Sequence, residues 1–228
     1  MSALLRARQL HKTYRADGVE TPALRGLDLD IEAGEFTAIA GPSGSGKTTL
    51  LNLLGGLDRP TSGEVWLGST RLDTLSRDRL ARLRLQEIGF VFQSYNLLPV
   101  LSALENAAFV LELRGVGRRE RERRALEALA SLGMAELANR RPNQLSGGQQ
   151  QRVAVARALA GRPRVILADE PTANLDTESG LALIDHMRKL NRELGITFVF
   201  STHDPRLLER VDRVVRLEDG RIVADERR

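Results

Sequence analysis

One stretch of the chain combines glycines, a lysine and threonines at a spacing that suits phosphate chemistry. It lies between an apolar run (36–40) and a leucine-rich segment (50–54), and it reads Gly41-Pro42-Ser43-Gly44-Ser45-Gly46-Lys47-Thr48-Thr49. Glycines let successive backbone N–H groups turn toward an anion, and a helix that starts near Lys47 adds the positive end of its dipole. Lys47 can reach the β- and γ-phosphates, and the Thr48 hydroxyl can ligate Mg²⁺. Glycine and serine also form ordinary turns, but the strand–loop–helix context favours a nucleoside triphosphate site.

Two acidic residues, Asp169 and Glu170, directly follow an apolar run at 165–168. In a parallel sheet the strands end at the ligand crevice, so both carboxylates are predicted to face the phosphate loop, residues 41–49. Asp169 suits Mg²⁺ as the acidic partner of Thr48, and Glu170 could orient or polarise the attacking water. A pair of exposed loop acids is the alternative. The preceding strand and the upstream phosphate loop favour the metal and catalytic roles.

His203 follows another apolar strand, residues 196–201, and is expected at the same sheet edge. An imidazole there could donate a hydrogen bond to the γ-phosphate or position the water. A lone histidine at the end of a strand is also often structural. The residues alone leave both roles open for His203.

A second glycine-rich element, Leu145-Ser146-Gly147-Gly148-Gln149, precedes an alanine-rich helix that extends to about residue 159. A helix N-terminus with small residues is a potential anion site, although Ser-Gly-Gly also forms plain turns. The chain has one evident nucleotide site. If this element lies in a separate lobe, it would therefore hold phosphates bound to another subunit.

Composition limits the class of protein. With 228 residues and 42% hydrophobic content, the chain can form one domain, or one domain with a lobe. It has no cysteine, which excludes a disulfide framework and a thiolate zinc site. No apolar run reaches the roughly 18 residues that span a bilayer, and the N-terminus does not resemble a signal peptide. We expect a cytoplasmic chain whose membrane role, if any, depends on a partner.

Charge argues against a nucleic-acid partner. The formal net charge is only +4, and the arginines are spread among almost as many acids. Residues 118–124 read Arg-Arg-Glu-Arg-Glu-Arg-Arg, and their mixed signs at helical spacing favour a solvated helix face over a nucleic-acid patch.

These residues need an α/β framework to position them. Alternation at 27–32 predicts antiparallel pairing near the N-terminus, with strands over 3–14 and 24–40 separated by a polar loop at 15–22. The region 94–160 is helical in pattern, with a capping box at Ser102 and a helix over 118–132 that turns Leu126, Leu129 and Leu132 toward a core. The predicted α/β fold is a P-loop core (1–93 and 161–228) with a mostly parallel sheet, an N-terminal antiparallel β-subdomain and an inserted helical lobe (94–160). The remaining predictions are strands at 64–68, 88–92, 164–168 and 196–201, helices from 76 to 87, 177 to 194 and 204 to 210, and a closing hairpin at 214–217 and 221–224.

Together these segments resemble the nucleotide-binding subunit of ATP-binding cassette (ABC) transporters, and the resemblance covers essentially the whole chain. Leu145 to Gln149 matches the signature sequence of that family. The resemblance implies a metal-binding role for Asp169 and a catalytic role for Glu170. It further implies roles for Gln93 (sensing Mg²⁺ and the water and linking the lobes), His203 (switch histidine), Ala173-Asn174-Leu175-Asp176 (contact with the opposite subunit) and Tyr14 (stacking on adenine).

The family arrangement also implies a second copy of the chain. Two subunits would form a head-to-tail sandwich, with each ATP between Lys47 of one copy and residues 146–149 of the other. A transmembrane permease would hold the pair at the inner face of the cell membrane. ATP and Mg²⁺ are the implied cofactors.

Three sequence segments, at 56–63, 90–106 and 167–172, resemble the corresponding segments of the ATPases in the lipoprotein-releasing and macrolide-exporter group. The permeases of that group work by mechanical transmission. A regulatory ABC ATPase of a cell-division complex stays open as an alternative. A non-transport ATPase acting on DNA or the ribosome is disfavoured, because the long coiled coil or second cassette of such relatives is missing from this sequence.

Overall fold

The computed structural model describes residues 3–16 and 18–228, and it contains two sheets. The strands are β1 (Leu5–Ala16), β2 (Val19–Ile31), β3 (Phe36–Ala40), β4 (Ser62–Leu67), β5 (Thr70–Arg71), β6 (Ile88–Val91), β7 (Val165–Ala168), β8 (Thr197–Thr202), β9 (Arg213–Glu218) and β10 (Arg221–Arg227). The helices are α1 (Lys47–Leu54), α2 (Arg77–Glu87), α3 (Ala103–Leu113), α4 (Arg118–Ala130), α5 (Gly147–Ala160), α6 (Thr177–Leu194) and α7 (Pro205–Leu208).

The N-terminal sheet is antiparallel, with strand order β2-β1-β4-β5. Its inward residues alternate as predicted, so Leu27, Leu29 and Ile31 are buried. The predicted loop at 15–22 is wrong, since β1 continues to Ala16, β2 starts at Val19, and Arg15 pairs with Glu20. Polar residues can form this ladder because it is exposed and gains a cross-strand ion pair, with Arg15 Nε 2.8 Å from Glu20 Oε1. Asp17 lies outside the described residues.

The second sheet places the chemistry at one edge. Its order is β10-β9-β3-β8-β7-β6, and β3, β6, β7, β8 and β9 run parallel. Strands β3, β7 and β8 are apolar and buried throughout most of their length because helices cover both faces. Ala40 is level with Thr202, and Ala168 is level with Phe200. The phosphate loop, Asp169 and His203 therefore leave the sheet side by side.

Helices α3, α4 and α5 lie between β6 and β7 along the chain and pack against one another. The capping box of α3 forms as predicted, with Ser102 and Glu105 exchanging hydrogen bonds. Leu126 does not face the core and is 44% exposed, contrary to the prediction. The buried stripe of α4 and the following turn is Ala125, Ala128, Leu129 and Leu132, an i, i+3, i+4, i+7 pattern that leaves residue 126 to one side. The exact limits of the helical lobe, 94 and 160, stay a prediction.

The last elements differ slightly from expectation. Helix α6 has the predicted bounds, whereas α7 ends at Leu208 and not at residue 210. None of the helices in the described part of the chain is long and apolar enough to cross a membrane.

Candidate functional site

The phosphate loop curls between β3 and α1 in a form that only glycine permits at the residue just before the helix. Gly46 precedes α1 with φ +103°, and a β-carbon there would lie 2.6 Å from the Ala23 carbonyl oxygen. Within the described residues, no side chain caps α1. The first N–H groups of the helix are therefore available to an anion.

Lys47 is held inside this loop. Its side chain is 7% exposed, and its Nζ donates to the carbonyl oxygens of Gly41 at 2.9 Å and Pro42 at 3.0 Å. Glu170 Oε1 lies 3.6 Å from the same nitrogen. The ammonium is thus fixed at the mouth of the loop, in a place with little water to screen it.

Asp169 meets Thr48 across 121 residues of sequence, as predicted. The Thr48 hydroxyl lies 3.0 Å and 2.9 Å from the two carboxylate oxygens of Asp169. Among the described residues there is no group of three or more His, Cys, Asp or Glu that could hold a metal ion. One carboxylate with hydroxyls suits Mg²⁺ bound to a nucleotide, since Mg²⁺ takes few protein ligands and completes its shell with phosphates and water.

Ser201, at the end of β8, organises both acids, and the sequence prediction missed it. Its hydroxyl donates to Asp169 Oδ1 at 2.7 Å and accepts from the Glu170 N–H at 2.8 Å. It is fully buried. The available signal was a hydroxyl residue near the end of a buried strand.

Glu170 and His203 form a pair at the same edge. His203 Nδ1 lies 3.0 Å from Glu170 Oε2, while the Glu170 side chain is only 13% exposed. Glu170 adopts φ +44°, a left-handed conformation that is uncommon for a non-glycine residue. Such strain is typical of residues that surrounding contacts hold at functional sites. The carboxylate points into the cleft beside Lys47.

These side chains line one cleft of about 330 Å³. Its lining comprises Ala23, Ser43, Gly44, Gly46, Lys47, Thr48, Thr49, Gln93, Glu170, Ala173 and His203. Gln93 is exposed, and its carbonyl oxygen accepts a hydrogen bond from Asn174 Nδ2 at 3.0 Å. The cleft therefore brings phosphate-loop residues 43, 44 and 46–49 together with Gln93, Glu170 and His203.

The second glycine-rich element, the signature turn (residues 145–149), does not line this cleft. Ser146 caps α5, and its Oγ accepts from the Gln149 N–H at 3.3 Å. Gln149 Oε1 accepts in return from the Ser146 N–H at 2.9 Å. The turn is a complete capping box, and the sequence from 145 to 151 carries no charge.

Tyr14 also lies outside the lining of the cleft. It is 41% exposed on β1, its hydroxyl donates to Asp58 at 3.2 Å, and Lys12 Nζ lies 4.8 Å from the centre of its ring. Burial raises the pKa of Asp58, but the hydrogen bond from Lys12 and those from its neighbours outweigh burial, so the pKa lies below its ordinary value. The adenine-stacking role of Tyr14 stays a prediction.

Comparison with known proteins agrees with this geometry. The family model described as ABC transporter matches residues 24–173. The lipoprotein-releasing system ATP-binding protein LolD of Anaeromyxobacter dehalogenans is 52% identical over 217 residues, covering 95% of this chain and 91% of that protein. The macrolide export ATP-binding/permease protein MacB of Rhodopirellula baltica is 48% identical, covering 96% of this chain and 32% of that longer protein.

A solved structure matches over nearly the full length. It is the dimeric, post-hydrolysis state of the ATP-binding cassette MJ0796 bound to ADP and Pi, with a TM-score of 0.91, 44% identity and 98% of both chains covered. The chain therefore belongs to the ABC transporter family, as an ATP-hydrolysing ATP-binding subunit of the group that includes LolD and MacB.

Proposed function

We propose that two copies of this chain close head to tail around two ATP molecules and so drive a separate membrane permease, which exports lipoproteins, drugs or peptides. The observation that best supports the proposal is that the nucleotide cleft and the signature turn lie apart on one chain. Lys47, Thr48 and Glu170 line the cleft and Asp169 contacts Thr48, whereas the signature turn lies elsewhere on the same chain. A second copy would bring its own signature turn to this cleft.

When ATP binds, the Lys47 ammonium exchanges its hydrogen-bond acceptors. The Gly41 and Pro42 carbonyl oxygens that hold its ammonium give way to β- and γ-phosphate oxygens, which carry full negative charge. Thr48, Asp169 and Gln93 would hold Mg²⁺. That ion, when bound, neutralises charge on the β- and γ-phosphate oxygens.

Hydrolysis rests on Glu170 and His203. The Glu170 carboxylate accepts a hydrogen bond from a water molecule and aims its oxygen at the γ-phosphorus, in line with the bond to the bridging oxygen. His203 holds the other carboxylate oxygen and fixes its orientation. The new bond joins the water oxygen to phosphorus while a water proton passes to the Glu170 carboxylate, and the bridging P–O bond breaks with its electron pair on ADP. The proton then leaves with the phosphate, and ADP follows.

An apolar groove beside the Gln93 segment (residues 92–101) suits a helix of the permease. It has a volume of about 360 Å³, and α2, β6, α3 and α5 form its walls, with Leu57, Leu85, Phe90, Phe109 and Leu113 among the lining residues. Leu97, Leu98 and Leu101 follow Gln93 in sequence, and Leu98 is 38% exposed. Because Phe92 and Asn96 belong to both the groove and this segment, closure of the site would move the permease contact.

Glu170→Gln tests the ATP sandwich. The amide keeps the size of the side chain but cannot act as a base, so we expect hydrolysis to fall by about 10²–10⁴-fold. ATP should then shift the chain to a dimer in size-exclusion chromatography. A matched Glu170→Gln, Lys47→Ala chain should remain monomeric. A monomeric Glu170→Gln chain with the wild-type rate of hydrolysis would refute the proposal.

Leu113→Glu tests the permease contact. Leu113 is 58% exposed at the groove, and a charge there should abolish co-purification of a four-span permease from detergent-solubilised membranes. Leu126→Glu, at an exposed leucine on α4 away from the groove, is the control and should leave co-purification intact. Recovery of cell-division proteins in place of an export permease would favour the regulatory alternative.

A further inference from the structure

The segment after Gln93 has an unusual backbone. Tyr95 has φ +60° and Asn96 has φ +49°, so two consecutive non-glycine residues adopt the left-handed conformation. Such a conformation persists only where neighbouring groups hold it. The groups that do so here belong to α5, the helix that follows the signature turn.

Arg157 holds one end of this segment. It lies in the third turn of α5, and its guanidinium donates to the Tyr95 carbonyl oxygen at 2.9 Å and also to the Asn96 carbonyl oxygen. Burial lowers the pKa of Arg157, although an arginine stays charged at neutral pH. Charge-assisted hydrogen bonds to two carbonyl groups in sequence fix the strained backbone against the helix.

The side chain of Tyr95 reaches the other end of the same helix. Its hydroxyl oxygen lies 2.9 Å from the point that a β-carbon on Gly147 would occupy. Gly147 is the first residue of α5. Tyr95 thus contacts the helix at two positions ten residues apart, which is about 15 Å along the axis.

The opposite end of the segment is in the nucleotide cleft. Gln93 lines the cleft, and its carbonyl oxygen accepts from Asn174 Nδ2 at 3.0 Å. The Asn174 carbonyl oxygen lies 3.6 Å from the same point beside Gly147. One short segment therefore joins the cleft of this copy to the turn that would complete the site of the other copy.

We propose that Tyr95 is a positioning residue that fixes the signature turn relative to Gln93, an inference that rests on the head-to-tail dimer proposed above. The Tyr95 hydroxyl occupies the space that a side chain at residue 147 would take.

The test is a double-mutant cycle of Tyr95→Phe and Gly147→Ala in the Glu170→Gln background. The measured quantity is the ATP concentration that gives half-maximal dimer. Gly147→Ala should raise it at least about tenfold, because the added methyl group overlaps the Tyr95 hydroxyl. Tyr95→Phe should raise it less, because only the packing of the hydroxyl against the turn is lost. The double variant should require less ATP than Gly147→Ala alone, because removal of the hydroxyl leaves the nearest remaining atom at 3.6 Å.

Ser131→Ala, which removes one hydroxyl from the same group of helices away from this contact, should require the same ATP concentration as the parent. ATP affinity of the dilute monomer should be unchanged in every variant, since all of them retain the phosphate loop. A loss of monomer affinity in Tyr95→Phe would contradict a positioning role. Strictly additive effects in the cycle would overturn the proposal.

The same variants also test the contact between Tyr95 and Gly147 independently of dimer formation. If the Glu170→Gln parent does not dimerise, the proposed function fails, and the contact is then read from thermal unfolding of the monomer. Gly147→Ala should lower the midpoint there, and Tyr95→Phe should restore part of it. Absence of that rescue would refute the contact independently of the dimer.

Discussion

The phosphate loop and the signature turn are both glycine-rich starts of helices, yet they are built for different tasks. The phosphate loop leaves the N–H groups of α1 without a side-chain cap among the described residues, and it holds a buried ammonium at its mouth. The signature turn is satisfied by its own capping box and carries no charge. The first can bind an anion alone. In the proposed dimer, the second would contact a phosphate that the other copy already holds.

Gly46 of the phosphate loop and Gly148 of the signature turn also differ in how strictly the fold of one copy requires glycine. Gly46 needs its left-handed backbone and has no space for a side chain. Gly148 has an ordinary backbone, and an added β-carbon would lie 3.7 Å from its nearest neighbour, Ser179. Glycine at 148 is therefore not required by the fold of one copy, and its small size suits close approach of a second copy.

The largest effects are expected from alanine substitutions at Gly46 and Gly148, which should differ sharply in their consequences. Gly46→Ala should cost at least about 2 kcal/mol of unfolding free energy, from backbone strain and overlap, and abolish ATP binding. Gly148→Ala should change stability by no more than about 1 kcal/mol, because alanine favours helix. It should keep monomer ATP binding and lose ATP-dependent dimerisation. Thermal unfolding, equilibrium nucleotide binding and size-exclusion chromatography measure the three quantities. Equal loss of stability in both variants would contradict the distinction.

An intermediate effect comes from the capping serines. Ser146→Ala and Ser102→Ala each remove the side-chain cap of a helix with a full capping box, so each should cost about 1 kcal/mol in denaturant unfolding. Only Ser146→Ala should weaken ATP-dependent dimerisation in the Glu170→Gln background. If Ser102→Ala weakened it equally, stability rather than phosphate contact would explain the loss.

The smallest expected effect is a difference in how the stability contributed by the two capping boxes depends on pH. The hydrogen bond from the Ser102 backbone N–H, with that of its side chain, holds the pKa of Glu105 below its ordinary value, whereas Gln149 does not titrate. A lowered folded-state pKa gives stability that is present at neutral pH and lost as pH falls through that pKa. Wild type should exceed Glu105→Gln in unfolding free energy by a few tenths of a kcal/mol at neutral pH, because solvent screens this exposed group. The difference should disappear as pH falls through the lowered pKa of Glu105, and a constant difference would contradict the assignment.

The local motifs were predictable from the sequence because each joins a few adjacent residues to a strand end or a helix start. The contact of Thr48 with Asp169 followed from the rule that parallel strands end at one edge. Ser201 was missed because its only signal was a hydroxyl near a strand end, and β8 has hydroxyl residues at both of its ends. The contact of Tyr95 with Gly147 has no local signal at all, since it depends on how α5 packs beside the Gln93 segment. The exposed hairpin at 15–22 was missed because its cross-strand pairing needs no apolar alternation.

The most direct measurement of the central claim mixes two inactive chains. Lys47→Ala lacks the cleft half of the site, and Gly148→Ala lacks the signature half. In a head-to-tail dimer of one chain of each kind, one site combines both defects and the other is intact. ATP hydrolysis should therefore be negligible for each chain alone and return in the mixture, to about a quarter of the wild-type rate if the chains pair at random and the sites act independently. A mixture no more active than its separate components would contradict a site shared between two copies.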